Sequence, residues 1–337
     1  ALMAASTGIV GASVVTLGLL TYPVLIKNGY SSSIASGTIC ASGTLGQIIP
    51  PSLVLILLAD VLSSSYQQAQ LNIGIFSPET ITIGDLFLGA LIPGLILPLL
   101  YIIYLKTLNI KNSKINTSKT INLYSIIFPL SLMVIVLGSI ILGIATPSEA
   151  AGLGALGAII LSYSQNNLTT ETLDKCIYES IKLTSMVFMI LIGATLFSLV
   201  FRGLEGEEFI HRFLIEMPND KFMTLIIILL IMFLLGFILD FIEITFIVIP
   251  LVGPALFTLG FDPLWIGILI ALVLQTSFIT PPFGFSLFYL RGVLPQSVKT
   301  TEIYKGIVPF LFLQLLLVTL VFIFPSLATY LPEMLFN

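Results

Sequence analysis

Charge is what this chain has least of. Only 9% of its 337 residues are Asp, Glu, Lys or Arg, and 57% are hydrophobic; soluble domains carry about 25% charge. That scarcity excludes a water-soluble domain. A single histidine and two cysteines leave little for metal or redox chemistry. Cys40 and Cys176 form no CxxC pair and read as packing residues. There is no basic stripe for nucleic acid and no Walker A motif for an ATP-driven pump. HExxH, Gly-x-Ser-x-Gly and paired catalytic aspartates are all missing, so an intramembrane enzyme has no support. The chain also lacks an initiator Met and a signal-like cleavage site at Ala1; it is expected to be a fragment without its N-terminal helices.

What it has instead is a succession of apolar runs near the ~20 residues that cross a bilayer. They are continuous rather than alternating, which excludes a β-barrel. Spans are expected near 9–26, 32–59, 86–105, 122–143, 150–164, 183–201, 223–239, 242–259, 263–290 and 305–328. Asp240 and Glu243 interrupt the sequence between 223 and 259, which therefore reads as two short arms of a re-entrant hairpin. Residues 60–85 read as a long polar excursion that either caps the fold or contacts a partner. Residues 106–120 read as a cytoplasmic linker, and 165–182 as an interfacial amphipathic helix.

Two Pro-Pro pairs, Pro50-Pro51 and Pro281-Pro282, lie inside these runs. A shift of 231 places lays Pro23 on Pro254, Gly29 on Gly260 and the first Pro pair on the second. Helix cannot continue through Pro-Pro, because each ring removes a donor and clashes with the preceding turn. Unwound backbone survives at membrane depth only where it lines a cavity or is buried in protein. Two such breaks in equivalent places point to the binding site of a carrier. Placing the 9–26 arm in a hairpin that opens inward, and 223–259 in one that opens outward, puts ten of the thirteen Lys and Arg inside. The two repeats are then inverted, which suits alternating access better than a channel.

The run Gly37-Thr38-Ile39-Cys40-Ala41-Ser42-Gly43-Thr44-Leu45-Gly46-Gln47-Ile48-Ile49-Pro50-Pro51-Ser52 resembles a signature of the large membrane subunit of tripartite ATP-independent periplasmic (TRAP) transporters. Gly84-Asp85-Leu86-Phe87 with Ile92-Pro93-Gly94 follows in the family's order. So do Gly143 through Ala151, Gly236-Phe237-Ile238-Leu239-Asp240, and Thr280-Pro281-Pro282-Phe283-Gly284. Gln275 through Val293, with Tyr66-Gln67-Gln68-Ala69-Gln70, is similar to the mannitol/chloroaromatic-compound subgroup. The resemblance implies an all-α polytopic, inverted-repeat elevator with two re-entrant hairpins and two broken helices. It implies coupling to Na+, a small four-helix membrane subunit, and a periplasmic binding protein that delivers an organic acid at the bacterial inner membrane. The expected organisation is a first transport repeat at 1–59, then an outer loop, scaffold helix and linker at 60–121. Scaffold helices and an amphipathic arm follow at 122–222, a second transport repeat at 223–292, and a C-terminal scaffold helix at 293–337.

Carbonyls freed by a helix break, together with hydroxyls, offer neutral oxygens to a sodium ion that must later leave. Ser6, Gly43, Gly46, Ile49 and Pro51 are the candidates in the first repeat; by the family's motif, Gly46, Ile49 and Pro51 act through carbonyls. Asp240, Ser277, Thr280 and Phe283 are their counterparts, and many family members have Gly at the position of Ser277. Half-helices that begin after each Pro pair aim positive ends at a carboxylate, and Thr7, Thr44, Ser52 and Thr276 are candidates to hydrogen-bond it. Asp240 and Glu243 serve the outer hairpin tip electrostatically or cap a helix. Glu149 is expected in a capped first turn, His211 on a solvated outer face, and Trp265 as an interfacial anchor. A stand-alone sodium/dicarboxylate symporter of the same architecture is the nearest alternative.

Overall fold

Glycines, prolines and side-chain caps decide where the apolar runs of this chain stop being helix. A computed structural model describes residues 3–4, 8–108, 124–215 and 221–336, and every regular element among them is helical. Contacts divide the chain into two units, residues 1–115 with 202–337, and residues 116–201.

The first unit opens with α1 (Val10–Lys27), whose last turn carries Lys27, a cation where the unpaired carbonyls end. The chain turns at Gly29 with φ +85°, a conformation glycine adopts without penalty. Ser31 caps α2 (Ser32–Thr44) by accepting the Ile34 N–H at 3.3 Å. After Thr44 the helix tightens into a 3-10 turn (Leu45–Gln47) and stops, since neither Pro50 nor Pro51 has an N–H. Ser52 restarts it as the cap of α3 (Leu53–Asn72), accepting the Leu55 N–H at 3.4 Å. A Thr82–Asp85 capping box then opens α4 (Ile83–Thr107).

The second unit holds α5 (Tyr124–Ile141), α6 (Pro147–Ser164) and most of α7 (Thr170–Gly203). Gly154 and Gly157 of α6 face Val136 and Leu132 of α5, so small residues set their approach. Glu149 closes a capping box with Thr146, as expected. Its 34 residues make α7 about 51 Å long. It is one continuous helix, where the sequence suggested an interfacial helix over 165–182 and a separate span at 183–201. The change at Lys182 is one of composition, and nothing in the residues there breaks a helix.

The first unit resumes with α8 (Gly206–Ile215) and α9 (Lys221–Leu235). α10 runs from Phe241 to Thr258 with a π-helical stretch at Ile244–Val248. Then come α11 (Pro263–Ser277), α12 (Phe285–Val293), α13 (Thr300–Ile323) and α14 (Ser326–Phe336). Five helices among the described residues are long and apolar enough to cross a membrane: α1, α4, α7, α10 and α13.

The 231-residue repeat is visible in the backbone. α1, Val10–Lys27, falls end to end on α10, Phe241–Thr258. Gly29 falls on Gly260, which also has positive φ, +79°. Ser31 falls on Asp262, which caps α11 by accepting the Trp265 N–H at 2.7 Å. Packing is reciprocal too: α1 lies on α12 and α10 on α3, while α2 lies on α13 and α11 on α4. Contacts that exchange in this way are those a two-fold axis generates. The closest crossing is glycine on glycine, where a Cβ at Gly37 would stand 2.1 Å from the Gly306 carbonyl oxygen.

Three expectations need correction. Residues 60–72 are not part of a loop but continue α3, held against α10 where Gly253 meets Ser65. Trp265 is 4% exposed and donates its indole N–H to the Val321 carbonyl at 2.7 Å, so it is an internal strut between α11 and α13. Cys40 is buried, as a packing residue should be, whereas Cys176 is exposed on α7.

Candidate functional site

The site is built where the two helix breaks meet. The Leu45–Gln47 turn packs against α11, α2 packs against α12, and α3 packs against α11. The Cys40 thiol reaches the Ser286 carbonyl at 3.6 Å, tying the end of α2 to the start of α12. Gly94 of α4 comes close enough that a Cβ there would stand 3.3 Å from the Ile48 carbonyl oxygen.

In the first break the main-chain carbonyls of Gly46, Ile49 and Pro51 accept no hydrogen bond from the described residues. Leu45 takes the N–H groups of Ile48 and Ile49 at 3.2 and 3.0 Å, which leaves the carbonyls beyond it open. Gly43 plays a different part, since a Cβ there would come 2.4 Å from Val14 Cγ2; it seats α2 on α1. Ser6 and Thr7 lie outside the described residues. Next to them, Gly8 (φ +65°) is placed so that a Cβ would stand 3.7 Å from the Leu53 nitrogen, beside the start of α3.

In the second break the Phe278 carbonyl accepts both the N–H and the hydroxyl of Ser286, at 3.1 and 2.9 Å, which folds the segment into a tight turn. Gly284 is needed there, because a Cβ would lie 2.5 Å from the Phe278 oxygen. The Phe283 carbonyl accepts no hydrogen bond from the described residues. Ser277 donates to the Leu274 carbonyl at 2.7 Å, and Thr280 to that of Thr276 at 2.8 Å, so both oxygens keep lone pairs.

The turn between α9 and α10 packs against this break. Gly236 sits against Ser277, and the Phe237 and Phe283 ring centroids are 6.0 Å apart. Asp240 caps α10, its carboxylate accepting the Phe241 N–H at 2.7 Å, while Glu243 accepts the Asp240 N–H at 3.2 Å. Both acids therefore hold the start of α10, four and seven residues after Gly236.

Three of the four hydroxyls expected to meet substrate donate to main-chain carbonyls. Thr44 donates to Ala41 O at 3.0 Å, Ser52 to Gln47 O at 2.5 Å and Thr276 to Leu272 O at 2.7 Å. Three buried polar side chains went unassigned in the sequence: Gln47, Thr245 and Gln275 have no hydrogen-bond partner for their side-chain atoms. Their one legible signal was position, as polar residues inside otherwise apolar runs. His211 has its side chain outside the described residues. No group of three His, Cys, Asp or Glu suited to a metal occurs among the described residues. Open oxygens here are neutral carbonyls and hydroxyls, a hard donor set suited to a hard cation.

Two broken helices that pack together inside a polytopic membrane protein are the architecture found at a transporter's binding site. The family model of the tripartite ATP-independent periplasmic transporter DctM component matches residues 1–327, and the chain belongs to that family. It is 26% identical to the C4-dicarboxylate TRAP transporter large permease protein DctM of Rhodobacter capsulatus, covering 99% of this chain and 77% of that protein. Its identity to the Vibrio cholerae protein of the same description is 29%, over 99% and 76% of the two chains. It is also similar, at 27%, to the isethionate TRAP transporter permease protein DctMQ of Oleidesulfovibrio alaskensis, covering 93% of this chain and 47% of that one. The protein is thus a multi-pass permease of the inner membrane, from a family whose large subunit works with a small membrane subunit and a periplasmic binding protein.

Proposed function

We propose that this chain is the large subunit of a sodium-coupled carrier that imports an organic acid handed over by a periplasmic binding protein. The observation that carries the reading is the trio of open carbonyls at Gly46, Ile49 and Pro51, in a partly buried break whose counterpart offers Phe283, Ser277 and Thr280. Oxygens without protons to accept will take a dehydrated monovalent cation, and neutral ones release it again. Gly43 serves the first of these sites by letting α2 approach α1; Asp240 serves the second by fixing the start of α10. Ser6 adds its hydroxyl to the first.

In this reading α9 and α10 form a re-entrant hairpin whose tip closes over the second break, and α1 is one arm of its inverted partner. The repeats move as one body against the α4 and α13 scaffold, an elevator motion. A small four-helix subunit braces the scaffold. The acid binds between the breaks, facing Thr7, Thr44, Ser52 and Thr276 and the N-terminus of α3. C4-dicarboxylates, named for two of the relatives above, are the first class to try; the Gln275–Val293 wording favours the mannitol/chloroaromatic subgroup, so aromatic carboxylates are the second.

The test is reconstitution of the large and small subunits in liposomes, with the binding protein outside and labelled succinate, isethionate, 2-oxo acids and aromatic carboxylates as cargo. Uptake should require both the binding protein and an inward sodium gradient. Uptake indifferent to sodium contradicts the coupling, and uptake without the binding protein favours a stand-alone symporter.

A further inference from the structure

We propose that the side-chain amides of Gln47 and Gln275 are the donors that take the carboxylate of the transported acid, at the junction of the Leu45–Gln47 turn with α11. The inference rests on the transporter reading above and names the residues that recognise its cargo.

A carboxylate accepts hydrogen bonds and offers none. Among the described residues no Lys, Arg or His is buried, so no cation waits for it inside the protein. The three described hydroxyls expected to meet it, Thr44, Ser52 and Thr276, already donate to main-chain carbonyls. What remains is the Thr245 hydroxyl on α10 and two amides, and only the amides lie on the elements that border both breaks. Gln47 is 1% exposed and Gln275 0% exposed, and both the nitrogen and the oxygen of each amide lack a partner. Buried amides are normally paired, because leaving one unpaired in a dry interior is unfavourable. Two such amides on elements that pack against each other mark a place prepared for a polar guest.

Their surroundings fit that guest. Gln47 lies at the foot of α3, since its carbonyl accepts the hydroxyl of Ser52, the helix cap. The 20-residue α3 begins there, and the positive end of a helix favours an anion. Gln275 occupies the last turn of α11, two residues before Ser277, which borders the second break. Neutral donors also suit transport. An Arg would hold a carboxylate by charge through the whole cycle, whereas an amide exchanges it for water on opening.

Gln47→Met and Gln275→Met keep side-chain length and remove the donors. With the complete transporter in liposomes, uptake of [14C]succinate, or of whichever panel acid the wild type carries, yields a KM for the acid and a half-saturating sodium concentration. Thermal unfolding of the same preparations reports packing. Each variant should raise the KM about 10- to 100-fold, the range for losing a hydrogen bond to a charged group. The sodium constant should not move, and the melting temperature should hold or rise, because an unpaired amide has been removed. A KM equal to wild type overturns the proposal. So does a lower melting temperature in which acid and sodium constants shift together, since the amides would then be structural. Wild-type uptake that ignores sodium sinks the coupling and leaves the KM comparison standing, so the two readings fail separately.

Discussion

Gly236 lies directly over Ser277: a Cβ at Gly236 would stand 2.2 Å from the Ser277 hydroxyl oxygen and 2.8 Å from its Cβ. The turn that joins α9 to α10 and the break that follows α11 are thus fitted to each other within a methyl group. Ser277 occupies space that a glycine at the same position would leave empty.

Gly236→Ala should therefore be harmful and repairable. Overpacking of this kind costs about 1–3 kcal/mol. The single variant is expected to unfold at lower temperature and to need more sodium for half-maximal uptake. Adding Ser277→Gly should restore both. A double variant no better than the single one would mean that the two residues do not press on each other.

Thr280→Val removes one hydroxyl and keeps the branched shape. The hydroxyl donates to the Thr276 carbonyl at 2.8 Å, within its own chain turn, and contributes about 1 kcal/mol to stability at most. Loss of a ligand oxygen should tell more on sodium, raising the half-saturating concentration about tenfold, equivalent to about 1.4 kcal/mol. Sodium titration of uptake beside thermal unfolding separates the two effects; parallel losses would assign Thr280 to packing.

At the α2–α13 crossing, Gly37 and Gly306 meet backbone to backbone, and a Cβ at Gly306 would stand 1.9 Å from the Ser33 carbonyl oxygen. No side chain there can swing away. Gly37→Ala and Gly306→Ala should each reduce the yield of folded complex on size-exclusion chromatography. Both force the same crossing apart, so the double variant should lose less than the sum of the two.

Trp265→Phe keeps the ring in place beside Phe261 and Phe322, whose centroids are each 5.9 Å away, and deletes the N–H that reaches Val321. The expected loss is about 1–2 kcal/mol, read as a lower melting temperature with sodium and acid constants unchanged. An anchor at the lipid surface would instead tolerate Phe.

Residues that act on their own backbone made much of this fold legible. Pro50-Pro51 and Pro281-Pro282 stop helices by chemistry that needs no partner, and the 231-residue register carried Gly29 and Gly260 to the same left-handed turn. Misreadings came where a distant contact decides. Ser63, Gln67 and Gln68 look like loop residues, yet α10 packs along that stretch and keeps it helical. Trp265 reads as an interfacial anchor until α13 supplies the Val321 carbonyl. Gln47 and Gln275 drew no attention for a related reason. Lack of a partner is a property of the folded interior and leaves no mark on the residue letters.

In the mechanism proposed, unwound carbonyls in the first break hold the driving cation. High-resolution cryo-electron microscopy of the assembled transporter, in sodium and then in choline, tests it most directly. Density within reach of the Gly46, Ile49 and Pro51 oxygens should be present in sodium and gone in choline. Equal density in both, or none in sodium, would contradict the account.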